Sequence, residues 1–103
     1  MKQKLFFTTL LCSLFCYISS MAAPIERDIV INHDGVSLPG TLTLPDNVEG
    51  HVPVVVMVQG SGPADRDETI GPNKPFAELA QRLANMGIAT IRYDKRTKVY
   101  GAR

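Results

Sequence analysis

A serine flanked by two glycines, in Gly60-Ser61-Gly62, directly follows the apolar run of residues 54 to 58. Many hydrolases carry their nucleophile in a similar setting, as G-x-S-x-G on a sharp strand-to-helix turn. Centred on Ser61, however, the outer positions of that motif are Gln59 and Pro63, and neither is glycine. The residues around Ser61 therefore disfavour a nucleophilic role for its hydroxyl group.

A nucleophilic serine also needs a base to remove its proton, and the chain has two histidines, His33 and His51. His33 comes at a predicted hairpin turn, and His51 comes before the next predicted strand, at its amino end. We therefore expect both histidines at or near the sheet edge opposite to the loop that carries Ser61. This is a second reason against a nucleophilic Ser61.

Phosphate binding and metal binding are two further chemistries to consider for the loop of residues 59 to 73. A phosphate-binding loop requires G-x-x-x-x-G-K-[ST], whereas here Asp65, Asp67 and Glu68 would repel a phosphate group. A dinucleotide fingerprint is missing too, because no third glycine opens the following helix. The acidic residues do not have the spacing of an EF-hand calcium loop. A solvated or salt-bridged loop is the better interpretation, and we predict no metal and no cofactor.

An oxyanion hole is the remaining interpretation of the loop. Acyl transfer places negative charge on the former carbonyl oxygen, and backbone N–H groups aimed at that oxygen lower the barrier. Glycines on both sides of Ser61 let the backbone approach such an oxyanion closely. In α/β-hydrolases one donor comes from the loop between the third strand and the first helix. By strand count, that is the position of this loop.

Alternating and uniform apolar runs predict the strands that position the loop. Residues 28 to 32 predict a first strand, and Asp34-Gly35 is typical of a tight hairpin turn. Residues 36 to 44 predict a second strand, bulged or at a sheet edge because it contains Pro39 and Gly40. Residues 53 to 58 have no polar alternation, which favours a strand covered on both faces.

A helix of about a dozen residues is predicted after the loop, followed by another short buried strand over residues 88 to 91. Pro75 suits the first helical turn and Gly87 suits the C-terminal cap. The apolar stripe that repeats at helical spacing consists of Phe76, Leu79, Ala80, Leu83 and Met86 or Gly87. The predicted fold class is therefore α/β: an antiparallel β-hairpin followed by a βαβ unit with parallel strands.

The first 22 residues predict a signal peptide. Basic Lys2 and Lys4 precede an apolar run, residues 5 to 18, and a small-x-small cleavage pattern ends at Ala22. The run is shorter than the roughly 20 residues that a membrane-spanning helix needs. We therefore expect an exported protein, periplasmic or secreted, that meets the membrane only during export. Cys12 and Cys16 both fall inside this segment, so no disulfide is expected after cleavage.

Charge excludes some partners. Without Lys2 and Lys4 the chain has nine basic and ten acidic residues, so we expect no binding to nucleic acid or to anionic membranes. Five of the basic residues cluster in the last twelve positions, and we expect them to form a solvated loop. They are Arg92, Lys95, Arg96, Lys98 and Arg103.

From about Val36 to Gly101 the chain resembles the amino-terminal part of a bacterial exported α/β-hydrolase of the carboxylesterase type, related to dienelactone hydrolases and serine aminopeptidases. The resemblance is carried by "LPGTLTLP", by "VVVMVQGSGPADRDETIGPNKPF" and by "LAQRLANMGIATIRYDKRTKVYG". It implies that Gln59-Gly60-Ser61-Gly62 corresponds to the family's H-G-x-G oxyanion motif, with Gln59 in place of histidine. The expected donor is the backbone N–H of Ser61, and Gln59, Gly60 and Gly62 shape the loop.

The resemblance also implies a loop-bracing role for Asp94 and Arg96, which match the family's D-x-R motif. In the family a glycine usually follows that arginine, whereas here Thr97 does. A structural salt bridge is therefore the role that we expect for this pair.

The function implied by the resemblance is that of a serine-type hydrolase acting on small-molecule carboxylic esters. No G-x-S-x-G occurs in the 103 residues, and no later aspartate and histidine complete a triad. We therefore expect residues 23 to 103 to be the incomplete N-terminal segment of a single α/β-hydrolase domain, without hydrolytic activity alone. A peptidase of the same fold (prolyl-oligopeptidase-like or aminopeptidase-like) and a non-catalytic truncated exported protein remain alternatives.

Overall fold

The computed structural model describes residues 23 to 101, and the predicted signal peptide lies outside that range. These residues form one four-stranded mixed sheet with the strand order β1-β2-β4-β3. The elements in chain order are β1 (Ile25–His33), β2 (Val36–Leu44), β3 (Val54–Val56), α1 (Pro75–Asn85), β4 (Ala89–Tyr93) and α2 (Arg96–Tyr100). The predicted α/β arrangement of a hairpin followed by a βαβ unit is confirmed.

The β1–β2 hairpin has a continuous antiparallel register, from Ile25 opposite Leu44 to His33 opposite Val36. Its turn consists of Asp34 and Gly35, whose φ angles are 47° and 74°. Two consecutive positive φ angles define the type I′ turn that matches the twist of a two-residue hairpin. The predicted turn is thus confirmed, although β1 begins three residues earlier than the sequence pattern indicated.

β2 is an interior strand, so the prediction of a bulged or edge strand is wrong. It pairs with β1 along its whole length and, from Gly40 to Thr43, with β4 on its other side. Gly40 is required instead by the close approach of β4. A Cβ atom at Gly40 would lie 2.4 Å from the Arg92 carbonyl oxygen and 3.3 Å from the Tyr93 Cα.

Gly40→Ala is therefore expected to lower the free energy of unfolding by about 1–3 kcal/mol, the usual cost of overpacking. Urea denaturation of the chain, followed by circular dichroism, measures the change. Gly60→Ala is the matched control, because no atom lies within 4 Å of a Cβ placed there. Equal stability of the two variants would contradict the steric argument.

Helix α1 connects the parallel strands β3 and β4, and its ends agree with the sequence signals. Pro75 is its first residue. At its C-terminus the Gly87 N–H donates to the Ala84 carbonyl (3.0 Å) and the Ile88 N–H to the Leu83 carbonyl (2.9 Å). This is the Schellman pattern, and the φ of Gly87, 84°, is the left-handed angle that it requires.

The predicted burial of β3 is wrong for the part of the chain that the structure describes. Val54, Val55 and Val56 are 42–55% exposed, because β3 is an edge strand whose two faces both lack cover. On α1 the buried side chains are Ala80 and Ala84, whereas Leu79 is 46% exposed. The small i, i+4 pair lets the helix pack closely on β4 and β2.

Candidate functional site

The loop of residues 59 to 73 starts at the carboxyl end of β3. β3 and β4 are parallel, so this loop and the residues that follow β4 meet at the same edge of the sheet. Ligands of open α/β sheets bind at this edge. Between residues 61 to 70 of the loop and Lys98 of α2 lies an open cleft of about 480 Å³.

His33 lies on the loop's side of the sheet, which contradicts the expected position. β2 is antiparallel to β4 with Gly40 opposite Tyr93, so the hairpin tip extends past the carboxyl end of β4. His51 precedes β3 and therefore lies toward the opposite edge, as expected. The His33 side chain is 87% exposed, and its Nε2 lies 3.2 Å from the Asp34 carboxylate. Among the described residues, no hydrogen bond joins either histidine to Ser61.

Gln59 is a buried side chain (8% exposed) that joins the start of the loop to the end of β4. Its Nε2 group donates to the Tyr93 carbonyl and, at 3.3 Å, to the Asp65 carbonyl. Both neighbours are acceptors, so the amide nitrogen rather than the oxygen must face them. One NH₂ group thereby connects two backbone segments that lie far apart in the sequence.

Residues 95 to 97, called here the 95–97 tether, bind three carbonyl groups of the loop. The Lys95 ammonium donates to the Gly60 carbonyl at 2.6 Å. The Lys95 N–H donates to the Ala64 carbonyl at 3.0 Å, and the Thr97 hydroxyl lies 3.4 Å from the Gly62 carbonyl. Alternate carbonyls of the segment from 60 to 64 are therefore held by one short stretch of chain.

The orientation of the Ser61 N–H follows from this tether. No peptide bond in residues 23 to 101 is cis, so the N–H of Ser61 is antiparallel to the Gly60 carbonyl. Because that carbonyl faces Lys95, the Ser61 N–H points away from Lys95. It donates to no acceptor within residues 23 to 101. The next residue, Gly62, has a φ of 88°, an angle that favours glycine.

Asp94 pairs with Arg66 of the loop, and not with Arg96. The guanidinium contacts Oδ1 at 3.2 Å and Oδ2 at 2.9 Å, while the Arg66 N–H also donates to Oδ1 at 2.8 Å. A third guanidinium nitrogen donates to the Thr41 hydroxyl at 2.9 Å. Among the described residues, Arg96 has no carboxylate within 4.0 Å. Asp94 thus connects the loop to the end of β4 through Arg66.

Hydrogen bonds from Arg66 lower the pKa of Asp94, and the same contact raises the pKa of Arg66. A lowered carboxyl pKa contributes stability that is present above the ordinary aspartate value of about 3.9 and is lost as the pH falls through the lowered pKa. The Arg66–Asp94 pair should therefore stabilise the folded chain at neutral pH, and this stabilisation should be lost in acid.

Asp94→Asn is accordingly expected to lower the urea midpoint at pH 7, and the difference from the parent should shrink below about pH 4. A pH series of urea denaturation curves from 7 to 2.5 measures this convergence. Asp46→Asn, in an exposed loop, removes the same charge and is the control. A difference between parent and Asp94→Asn that stays constant down to the lowest pH would contradict the assignment.

Arg92 is buried. The prediction that the basic residues near the C-terminal end form a solvated loop is therefore wrong for Arg92. Its side chain is 4% exposed and contacts the Asp67 carboxylate at 2.5 Å and the Glu26 carboxylate at 3.0 Å. Gln81 of α1 donates to the same Glu26 oxygen at 2.9 Å. Arg92 therefore joins the loop, β1 and, through Glu26, the helix.

The ion pair of Asp67 with Arg92 confirms the prediction of a salt-bridged loop for that residue, and Asp65 is hydrogen-bonded within the loop. Asp65 accepts bonds from the Thr69 N–H (2.8 Å) and hydroxyl (2.5 Å). Burial raises the pKa of Asp65, but these bonds outweigh it and the pKa lies below its usual value. No group of three or more potential metal-binding side chains occurs within residues 23 to 101.

Arg66 and Arg92 are the structural residues that sequence reasoning missed. Each arginine forms an ion pair that joins the loop to the C-terminal end of β4. Arg66 of the loop pairs with Asp94 after β4, and Arg92 of β4 pairs with Asp67 of the loop. The available signal was an arginine followed closely by an aspartate at both places, Arg-Asp in the loop and Arg-x-Asp at the strand end. In the described range, neither helix is long and apolar enough to cross a membrane.

Comparisons with known proteins give one similar sequence. No protein-family model matches the chain. A curated relative, Esterase EstD of Thermotoga maritima, is 51% identical over 74 residues, which are 72% of this chain and 17% of the relative. The chain thus spans less than a fifth of the length of this relative. Over this stretch the chain is similar to part of a protein named as an esterase.

Proposed function

We propose that this chain supplies the oxyanion-hole side of the active site of a serine-type hydrolase that acts on small-molecule carboxylic esters. The observation that carries the proposal is the Ser61 N–H, which points away from the 95–97 tether and has no acceptor within residues 23 to 101. Similarity to a protein named as an esterase supports the substrate class.

Rigid positioning of the loop supports this role. An oxyanion donor is effective when it is in place before charge develops, because no reorganisation is then needed during the reaction. Gln59, the 95–97 tether and the Arg66–Asp94 pair hold the loop at several points to the stretch from Tyr93 to Thr97. The Ser61 N–H would then donate to the oxygen on which negative charge develops as the transition state leads to the tetrahedral intermediate.

The nucleophile, acid and histidine of the triad are proposed to lie outside these 103 residues, since the sequence contains no G-x-S-x-G. Ser61 is then a backbone donor and not the nucleophile. Export to the periplasm or the medium by residues 1 to 22 is likewise proposed, on the sequence pattern described above.

The proposal is tested with a chimera in which residues 25 to 101 replace the corresponding segment of the Thermotoga maritima esterase. We expect a folded chimera that hydrolyses p-nitrophenyl esters. A chimera with the circular dichroism spectrum and melting behaviour of the parent, but without esterase activity, would contradict the proposal. The 103-residue chain itself should not react with a fluorophosphonate probe, and labelling of Ser61 would favour the nucleophile interpretation instead.

A further inference from the structure

We propose that Lys95 is a positioning residue whose ammonium group polarises the Gly60–Ser61 peptide and so strengthens the Ser61 N–H as a hydrogen-bond donor. This inference rests on the proposed function. It assigns a role in the reaction to a charge that lies on the far side of the peptide group from the oxyanion.

The Lys95 ammonium makes a short contact with the peptide group that carries the Ser61 N–H. Lys95 Nζ lies 2.6 Å from the Gly60 carbonyl oxygen, slightly shorter than the usual charge-assisted hydrogen bond of about 2.7–2.9 Å. The Gly60 carbonyl and the Ser61 N–H belong to one planar trans peptide and point in opposite directions. The cation therefore binds at one end of the dipole whose other end is the proposed oxyanion donor.

Amide resonance transmits the effect across the peptide. A cation at the carbonyl oxygen favours the resonance form with a C–N double bond, which places more positive charge on the N–H group. Chains of hydrogen bonds polarise one another in the same way, by roughly 10–30% per bond. The sequence ammonium, peptide group, oxyanion is such a chain, and its last bond reaches full strength only when the oxyanion forms.

The backbone of Lys95 has a separate structural role, which permits a clean test. Its N–H donates to the Ala64 carbonyl at 3.0 Å, and Thr97 holds the Gly62 carbonyl. Both contacts remain when only the Lys95 side chain is changed. Substitution of that side chain therefore removes the charge at Gly60 and leaves the other contacts of the 95–97 tether in place.

The expected kinetic effect follows from the value of one oxyanion donor, about a hundred- to a thousandfold in kcat. Strengthening such a bond by roughly 10–30% corresponds to about two- to eightfold. Lys95→Met in the chimera should lower kcat by this factor with KM little changed, because the oxyanion exists in the transition state and not in the bound ester.

The nature of the Lys95 effect is resolved by two further variants. Lys95→Arg keeps the charge and should retain most of the activity, whereas Lys95→Gln keeps a neutral donor and should behave like Lys95→Met. Lys74→Met removes the same charge from an exposed residue before α1 and is the control. Parent-like kcat in both Lys95→Met and Lys95→Gln would overturn the inference.

Nuclear magnetic resonance of the 103-residue chain tests the polarisation without catalysis. Loss of a hydrogen bond at the preceding carbonyl moves an amide nitrogen resonance upfield, so the Ser61 signal should shift in Lys95→Met but not in Lys74→Met. An unchanged Ser61 signal would overturn the inference.

The kinetic outcomes separate this inference from the proposed function. The Ser61→Pro variant lacks the Ser61 N–H. If Ser61→Pro leaves kcat unchanged, the proposed oxyanion role of Ser61 is contradicted. If Ser61→Pro lowers kcat and Lys95→Met does not, only the proposed role of Lys95 is contradicted.

Discussion

Replacing Ser61 by proline in the chimera is expected to lower kcat about a hundred- to a thousandfold, the usual effect of losing one oxyanion donor. Proline has no N–H, so it removes the proposed donor itself. Ser61→Ala keeps the N–H and removes the hydroxyl, and it should leave kcat nearly unchanged. Steady-state kinetics with p-nitrophenyl acetate measures both variants.

The pair of Ser61 variants discriminates between the two interpretations of this residue. A nucleophilic hydroxyl predicts the opposite result for Ser61→Ala, namely loss of activity together with loss of fluorophosphonate labelling. Equal activity of the proline and alanine variants would contradict the donor role.

Because proline also restricts the backbone, a second pair of variants tests the loop geometry independently. Gly60 and Gly62 both have open space where a Cβ would be added, but of the two only Gly62 has a positive φ. Gly62→Ala is therefore expected to strain the loop and to lower kcat more than Gly60→Ala does. The melting temperatures of the two Ser61 variants and the two glycine variants show whether any loss of activity comes from unfolding.

Arg92→Met is expected to lower the free energy of unfolding of the chain by about 3 kcal/mol, as for a buried ion pair that loses one partner. The Asp67 carboxylate is 21% exposed and would remain partly buried without a cation. Glu26 is 45% exposed and can recover water, so most of the effect should come from Asp67. Urea denaturation followed by circular dichroism measures the loss.

The matched control for Arg92 is Arg82→Met on the exposed face of α1, where a change within about 0.5 kcal/mol is expected. Equal stability of the two variants would show that the buried arginine does not hold the loop to the sheet. The double variant Arg92→Met with Asp67→Asn should recover part of the loss, because no uncompensated carboxylate then remains at the loop.

Local signals in the sequence determined the secondary structure and much of the fold. The turn residues Asp34 and Gly35 and the capping Gly87 have positive φ angles that few other residues adopt. The first-turn Pro75 suits the start of a helix because its φ is fixed near the helical value and no N–H is needed there. The apolar runs determined which segments become strands. The order of hairpin, strand, helix and strand then implied a parallel β3–β4 pair, and the same order put the Ser61 loop at the carboxyl end of β3.

Contacts between distant residues were decided by the tertiary structure. The sequence contains no pattern that chooses Arg66 over Arg96 as the partner of Asp94, because the two arginines differ only in where the loop and α2 bring them. The burial of Arg92 depends on the loop folding over β4, which supplies the carboxylate that makes a buried cation tolerable.

Strand order is the other feature that only the tertiary structure decided. A buried interior strand and an exposed edge strand can have the same apolar composition. The sequence therefore could not indicate that β3 is exposed within residues 23 to 101. Nor could it show that β4 lies between β2 and β3, which brings the hairpin tip and His33 to the loop's side of the sheet. By itself the sequence determined a glycine-flanked loop in which the backbone N–H of Ser61 is the proposed donor. Which way that donor points was decided by Lys95, 34 positions away, because only the folded chain brings its ammonium group to the Gly60 carbonyl.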